Sequence, residues 1–310
     1  MMGDRGADKK RVLVLGGTGM LGAMVADVLA RDPEITLTVT ARKPERKGIE
    51  GPARSARCLR LDAESDQDSL PSMLSEGFDW IVNAIGVIKP YIKDTDPIGT
   101  ERAVRVNSLF PHCLARAAGA VGIPVLQIAT DCVYSGKAGN YLEDAPHDAL
   151  DVYGKSKSLG EVPTPAMHHL RCSIIGPEVS GHLSLLDWFR GQVKGAQLTG
   201  YSNHLWNGVT TYHFSRICQG IIHSGHRPPA RQHVIPSGMV TKAEMLETFA
   251  EVYERQDLRI QRGEAAAVID RTLATQEQAA NLTLWSAAGY PAPPTFRQMM
   301  LELASHPFNH

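Results

Sequence analysis

No apolar run in the sequence approaches the about 18 residues that a membrane-spanning helix needs, and the opening stretch MMGDRGADKK lacks the apolar segment of a secretory signal. Neither membrane insertion nor secretion is expected. Cysteine is sparse: Cys58, Cys113, Cys132, Cys172 and Cys218 are odd in number and show no CxxC spacing. That argues against a disulfide framework or a thiolate zinc site and suits reduced thiols in the cytoplasm. The histidines, His168, His169 and His204 among them, fall in no metal-ligand spacing, so no metal is expected. Excess charge is lacking too. A net charge of -1 gives no reason to expect nucleic acid or a membrane surface as partner. What remains is 310 residues without repeats or low-complexity linkers, enough for one large domain or two modest ones.

The first positive signal is a strand, glycine turn and helix in succession. Residues 11–15 are apolar, GGTGMLG follows at once, and a helical pattern runs to Ala30. Gly17, Gly19 and Gly22 fit the dinucleotide fingerprint, and Gly16, Gly19 and Gly22 fit its three-residue-spaced variant. Glycines let the backbone approach a pyrophosphate seated at the positive helix N-terminus, so Gly16, Gly17, Thr18, Gly19, Met20 and Leu21 are candidate cofactor contacts. A second strand, residues 35–40, ends in Ala41-Arg42-Lys43. Where an NAD-type fingerprint carries an acid for the ribose hydroxyl, this chain carries Arg42, which suits a 2′-phosphate. NADP(H) is therefore expected over NAD(H), with NAD(H) as the second choice. A third strand, residues 56–61, leads to Asp62, which has two readings of equal weight: reaching the adenine, or capping a helix that begins near Ser65. A fourth, residues 80–83, runs into Ala84-Ile85-Gly86, small enough to let a cofactor cross the strand end. Strands alternating with helices predict an α/β fold with a doubly wound parallel sheet.

Residues 98–120 read as one long helix that Pro111 should kink or divide, with Asn107 a polar residue on its apolar face. By pattern alone Asn107 is more simply a satisfied amide than a catalytic group. A fifth strand, residues 123–129, delivers Thr130 to the sheet edge. The stretch that follows, to Glu161, is the centre of the chain. Tyr153 and Lys157 stand four apart where a helix begins, and so share a face. A hydroxyl, a phenol and an ammonium brought together would deliver a proton, the cation drawing the phenol's pKa of about 10 towards neutrality. A sixth strand, residues 170–175, closes a dinucleotide-binding unit at 1–177. Residues 178–310 are expected to form a smaller α/β part, mainly for substrate, which returns segments to the core. There Trp206 reads as a stacking platform or as packing, as does Tyr134. Asn207-Gly208 reads as a type I′ hairpin turn, a substrate loop, or both. A strand at residues 233–235 and helices near 242–253 and 295–304 follow.

GGTGMLG, VNAIG, RVNSLFP, Thr130, the pair Tyr153 and Lys157 in YGKSK, and LRCSIIGP stand in the order of an extended short-chain dehydrogenase/reductase, which the first 177 residues resemble. IATDCVYSG, YLEDAP and VYGKSKSLGE are similar to the dTDP-4-dehydrorhamnose reductase branch, except that Cys132 stands where that branch usually has tyrosine. The resemblance implies NADPH-dependent reduction of the 4-keto group of a nucleotide-linked 4-keto-6-deoxysugar. In that role Tyr153 is the acid, Lys157 the ribose and tuning partner, Thr130 the oxyanion donor and Asn107 the support of a proton relay. Tyr153 and Lys157 then also touch the cofactor, while Thr130, Asp131, Cys132, Tyr134, Trp206 and Asn207 are the substrate candidates. Nucleotide-sugar dehydratases carry a second acid after the threonine, and Asp131-Cys132 lacks it. A nucleotide-sugar epimerase and a non-catalytic NADP-binding regulatory subunit are the alternatives; a homodimer is the assembly the resemblance allows.

Overall fold

Seven parallel strands make the central sheet of the computed structural model, which describes residues 9–43, 49 and 51–308. They are β1 (Lys10–Leu15), β2 (Ile35–Ala41), β3 (Arg57–Arg60), β4 (Trp80–Asn83), β5 (Val125–Thr130), β6 (Met167–Cys172) and the strand Arg231–His233. In space the order is Arg231–His233, β6, β5, β4, β1, β2, β3. The chain winds outward in both directions from β1, so a crevice opens at the carboxyl ends of β1 and β4. A sheet covered on both faces needs strands apolar on both faces. In β1, Val12 and Val14 enter one core with Val25 and Leu29, while Leu13 and Leu15 enter the other with Phe110 and Leu114. The layers are supplied by α1 (Met20–Ala30), α2 (Leu70–Leu74), α3 (Pro97–Ala103), α4 (Phe110–Val121) and α5 (Val152–Leu159), and by the later helix Thr211–Ser224, whose Phe214, Ile217 and Ile221 join the core of α1. Among the described residues no helix is long and apolar enough to cross a membrane.

The expected long helix is interrupted, and Pro111 lies in the first turn of α4, directly after the interruption. The break is a π-helical stretch, Val104–Leu109, centred on Asn107.

Beyond residue 177 the chain builds a third core of Leu186, Phe189, Trp206, Phe249 and Phe296. It also re-enters the first unit: His233 pairs in parallel with Arg171 of β6. The hairpin expected at Asn207-Gly208 does not form. His204–Trp206 pairs with Val240–Thr241 and Ile269–Asp270, whereas Val209–Thr210 pairs in parallel with Ile174–Ile175. The glycine is there for space, since a Cβ on Gly208 would lie 2.2 Å from the Ser173 carbonyl oxygen.

A Cβ on Gly22 would lie 2.1 Å from the Gly16 carbonyl oxygen. Gly22→Ala should therefore destabilise the protein by about 1–3 kcal/mol, as overpacking does. A thermal-unfolding midpoint equal to that of the wild type would refute this.

Candidate active site

The glycine turn comes first, because it fixes where a cofactor could lie. Gly16 has a φ of +82°, a conformation that glycine adopts without strain. Its N–H donates to Thr40 Oγ1 (3.0 Å), and the Gly17 N–H donates to the Thr40 carbonyl (2.9 Å). Gly22 packs on Gly16, while a Cβ on Gly19 would meet nothing nearer than 3.6 Å. Of the two glycine spacings, Gly16, Gly19 and Gly22 thus carry the turn, the open approach and the close packing. Gly19 caps α1 through backbone alone, with no side-chain cap hydrogen bond. Thr18 and Met20 are half-buried beside it, whereas the Leu21 side chain is in the core and can offer a ligand only its backbone.

Arg42 and Lys43 are exposed just past β2. The Asp62 carboxylate accepts the Glu64 N–H (3.0 Å), and it is Asp66 that precedes the short helical turn at Gln67–Ser69. The capping reading of Asp62 is therefore corrected: it closes a turn four residues earlier. Ala84 and Ile85 are half-buried, and Gly86 is exposed, with Asn107 Oδ1 3.4 Å and Lys157 Nζ 3.9 Å from where its Cβ would be.

The catalytic candidates meet at the end of β5. Thr130 is its last residue; the Thr130 hydroxyl accepts the Cys132 N–H (3.1 Å) and donates to Asp131 Oδ1 (3.2 Å). It also lies near enough to the Tyr153 phenol to favour the ionised form. Asp151 starts α5 by accepting the Gly154 N–H (2.8 Å) and takes an ion pair from Lys89 (2.7 Å). Two glycines the sequence reading passed over let α5 seat itself. A Cβ on Gly154 would be 2.4 Å from the Cys132 carbonyl oxygen, and one on Gly160 would be 1.9 Å from that of Asn107. The Asn107 amide bridges the two sides: Oδ1 accepts from the Val87 N–H (2.8 Å), and Nδ2 donates to the Val87 carbonyl (3.0 Å) and Ser156 Oγ (3.2 Å).

The electrostatics differ from expectation in one respect. Burial, followed by the neighbouring Cys132, raises the Tyr153 pKa, and Thr130 only partly opposes it. Lys157 does not lower it in this structure. Its Nζ donates to the Ile128 carbonyl (3.2 Å), and burial pushes Lys157 itself down to about 8, against the pull of Glu161. Desolvation outweighs the pull of Thr130, so the phenol holds its proton at neutral pH.

Asp131 is buried, and desolvation raises its pKa against Arg271 foremost, then Thr130, Cys132 and Lys242. Burial and then Asp131 push the Cys132 thiol up to about 12, so it is no thiolate. Arg271 and Lys242 were not legible in the sequence. Arg271 Nε donates to the Tyr134 carbonyl (2.9 Å), which brings its charge to the Thr130–Cys132 turn from the far end of the chain. No motif marks either residue; each merely follows a two-residue strand in the three-stranded sheet.

Three substrate candidates have packing or backbone-holding roles in the fold. Tyr134 is fully buried, stacks on Tyr141 at 4.2 Å and donates its hydroxyl to the Leu142 carbonyl (3.0 Å). Trp206 lies in the third core against Phe296, its Nε1 on Ser173 Oγ (2.8 Å). Asn207 holds the Leu273 backbone at both its N–H (3.0 Å) and its carbonyl (2.7 Å).

Comparison with known proteins places this geometry. Residues 10–175 match the family described as the RmlD substrate binding domain. Among curated proteins, the dTDP-4-dehydrorhamnose reductase of Mycolicibacterium smegmatis is 27% identical over 158 residues, covering 49% of this chain and 40% of that protein. The one from Streptomyces griseus is 29% identical over 163 residues, 49% of this chain and 44% of its own. The chain thus spans less than half the length of these curated relatives. In fold, the dTDP-4-dehydrorhamnose reductase of Bacillus anthracis in complex with NADP superposes with a TM-score of 0.71 at 15% identity, over 95% of this chain and 98% of that one. The Bordetella bronchiseptica enzyme WbmG in complex with NAD and UDP gives 0.72 at 17%, over 97% and 94%. The glycine turn, β5 and α5 all fall inside the matched segment, and the chain belongs to the RmlD substrate binding domain family.

Proposed function

We propose that the protein is a cytoplasmic reductase that uses NADPH to reduce the 4-keto group of a nucleotide-linked 4-keto-6-deoxysugar in deoxysugar biosynthesis. One observation carries this reading: Thr130 at the end of β5 and Tyr153 and Lys157 on α5, with Lys157 Nζ on the Ile128 carbonyl, gather at the carboxyl edge of the sheet that also bears the open glycine turn. The residues present fit a dinucleotide. Gly19 leaves room at the uncapped start of α1 for a pyrophosphate, Arg42 suits a 2′-phosphate, and Gly86 leaves a surface beside Lys157 for a ribose. When bound, the nicotinamide supplies the hydride. Tyr153 gives its proton to the carbonyl oxygen, Thr130 hydrogen-bonds the alkoxide as it forms, and the Lys157 ammonium balances the phenolate left behind. Asn107 fixes Val87 and Ser156 around that ammonium. In this reading residues 1–177 hold the cofactor and the reacting groups. Residues 178–310 contribute Arg271 and Lys242, two cations facing Asp131, which suits an anionic nucleotide-sugar.

Incubation with NADPH and dTDP-, UDP-, GDP- and CDP-linked 4-keto-6-deoxysugars should oxidise NADPH with at least one of them. Tyr153→Phe should then lower kcat by about 10²–10⁴ while NADPH binding holds. A fast Tyr153→Phe enzyme would remove the proton-donor role, and no turnover with any sugar would sink the reductase reading. With Lys157 pushed down to about 8, its ammonium is lost as pH rises through that value. Turnover should accordingly fall above pH of about 8, and Lys157→Arg, slower but permanently charged, should lose that limb; a limb that persists would assign it elsewhere. Finally, Arg42→Ala should weaken NADPH roughly tenfold and leave NADH nearly unchanged, as loss of one charged hydrogen bond predicts. Titration with both cofactors decides this, and equal losses would contradict the 2′-phosphate contact.

A further inference from the structure

Outside the reacting groups, a dense and deeply buried set of titratable side chains gathers around Arg171. This residue is 1% exposed on β6, where it pairs with Ala129, the neighbour of Thr130. A guanidinium has five N–H donors and no acceptor. Here each donor has a partner. Nε meets Glu161 Oε1 (3.0 Å), and Nη2 meets Glu161 Oε2 (2.6 Å) and His147 Nε2 (3.0 Å). Nη1 meets the Tyr134 hydroxyl (2.7 Å) and His233 Nε2 (2.7 Å). These partners are not neighbours in sequence. Tyr134 and His147 lie at opposite ends of the connection between Thr130 and Tyr153, Glu161 lies just past the end of α5, and His233 belongs to the returning strand.

Because arginine can only donate, both histidines must present an unprotonated Nε2. Their other nitrogens agree, His147 Nδ1 being 2.7 Å from Ser158 Oγ on α5 and His233 Nδ1 2.7 Å from the Ala274 carbonyl. Of the two imidazoles, His147 is the one that protons can reach: its side chain is 21% exposed and lines a cavity of about 400 Å³ beside His112, Lys155, Ser158 and Glu161.

We propose that Arg171 is a positioning residue, setting Tyr153 against Thr130 by clamping both ends of the connection between them to the end of α5, with His147 as the arm that acid releases. The inference rests on the reductase reading only for its kinetic consequence. Protonation of His147 at Nε2 replaces the acceptor facing the guanidinium with a second cation, while Nδ1 keeps its proton towards Ser158 Oγ. The charged groups around His147 are Glu161 (3.8 Å), Arg171, Arg231 and Asp148, with the Tyr134 ring against its edge. Burial, aided by Arg171 and Arg231, holds His147 below the ordinary histidine value, so the clamp is closed at neutral pH and opens only below it.

His147→Gln keeps a donor and an acceptor but cannot titrate. It should retain turnover near neutrality and lose the decline in kcat that the wild type shows on acidification below about pH 6.5. Arg171→Lys keeps the charge but offers at most three donors. It should lower kcat about tenfold with KM and NADPH affinity little changed, a split expected when an interaction needed for chemistry is removed. Amide hydrogen exchange of residues 152–159 should quicken in Arg171→Lys at neutral pH, and in the wild type but not in His147→Gln at acid pH after correction for intrinsic exchange. If Arg171→Lys does not fold, His147→Gln, which leaves the Arg171–Glu161 pair intact, decides alone. A His147→Gln acid profile superimposable on the wild type, or unchanged exchange in α5, would overturn the clamp. The exchange readout needs no substrate, so a failure of the reductase reading stays distinct from a failure of this one.

Discussion

The site depends on how closely α5 can approach the backbone of its neighbours. Gly154 lets the helix touch the turn after β5, and Gly160 lets its end touch the π-helical stretch at Asn107. Both contacts are backbone to backbone, so neither can relax by a side-chain rotation. The π-helical stretch is the other half of this fit. It puts Asn107 and Ser108 against Ser156 of α5, where Ser108 Oγ donates to the Ser156 carbonyl at 2.7 Å. Irregular helical turns of this kind recur at functional sites, and here the irregularity has an identifiable use.

Close seating brings desolvation, which sets the electrostatics of the site. The phenol is made a weaker acid and the ammonium a weaker base, each in its less charged direction. Such a site rests with its proton on oxygen. The Thr130 hydroxyl, which accepts from the Cys132 amide and donates to Asp131, is oriented by the turn before any ligand arrives. To reach an alkoxide its one proton turns from Asp131, a rotation about a single bond with the oxygen held in place by the Cys132 amide.

How much of this was legible in the sequence follows from the range of the forces involved. The strands of the first unit and the glycine turn could be read because their signals are local: apolar runs buried on both faces, and glycine at a positive φ. Thr130, Tyr153 and Lys157 were legible because strand end and helix start place them by short-range geometry. The π-helical form of the break at Asn107 was not, because proline marks a helix start as readily as a kink. Tyr134 and Trp206 had two readings, stacking platform or packing, because an aromatic in a polar stretch carries no sign of what covers it. Their partners Tyr141, Arg171, Ser173 and Phe296 are brought in by tertiary folding. Arg271 and Lys242 were invisible for the same reason: a lone cation between short strands is the commonest kind of surface residue until the fold turns it inward.

The returning strand Arg231–His233 bears on how the chain comes to be folded. Until residue 233 has left the ribosome, β6 is the open edge of the sheet, and the cover that Thr211–Ser224 gives to α1 and β1 is only just complete. An unpaired strand edge beside uncovered apolar surface is the arrangement most prone to joining another chain. Residues 134–149 cannot settle either, since Glu143 takes the His233 N–H and the Thr275 hydroxyl, and Thr272 takes the Asn140 N–H. The unit that looks self-sufficient in the order of its motifs is thus completed by residues far downstream, which supply its edge strand and the partners of its longest connection.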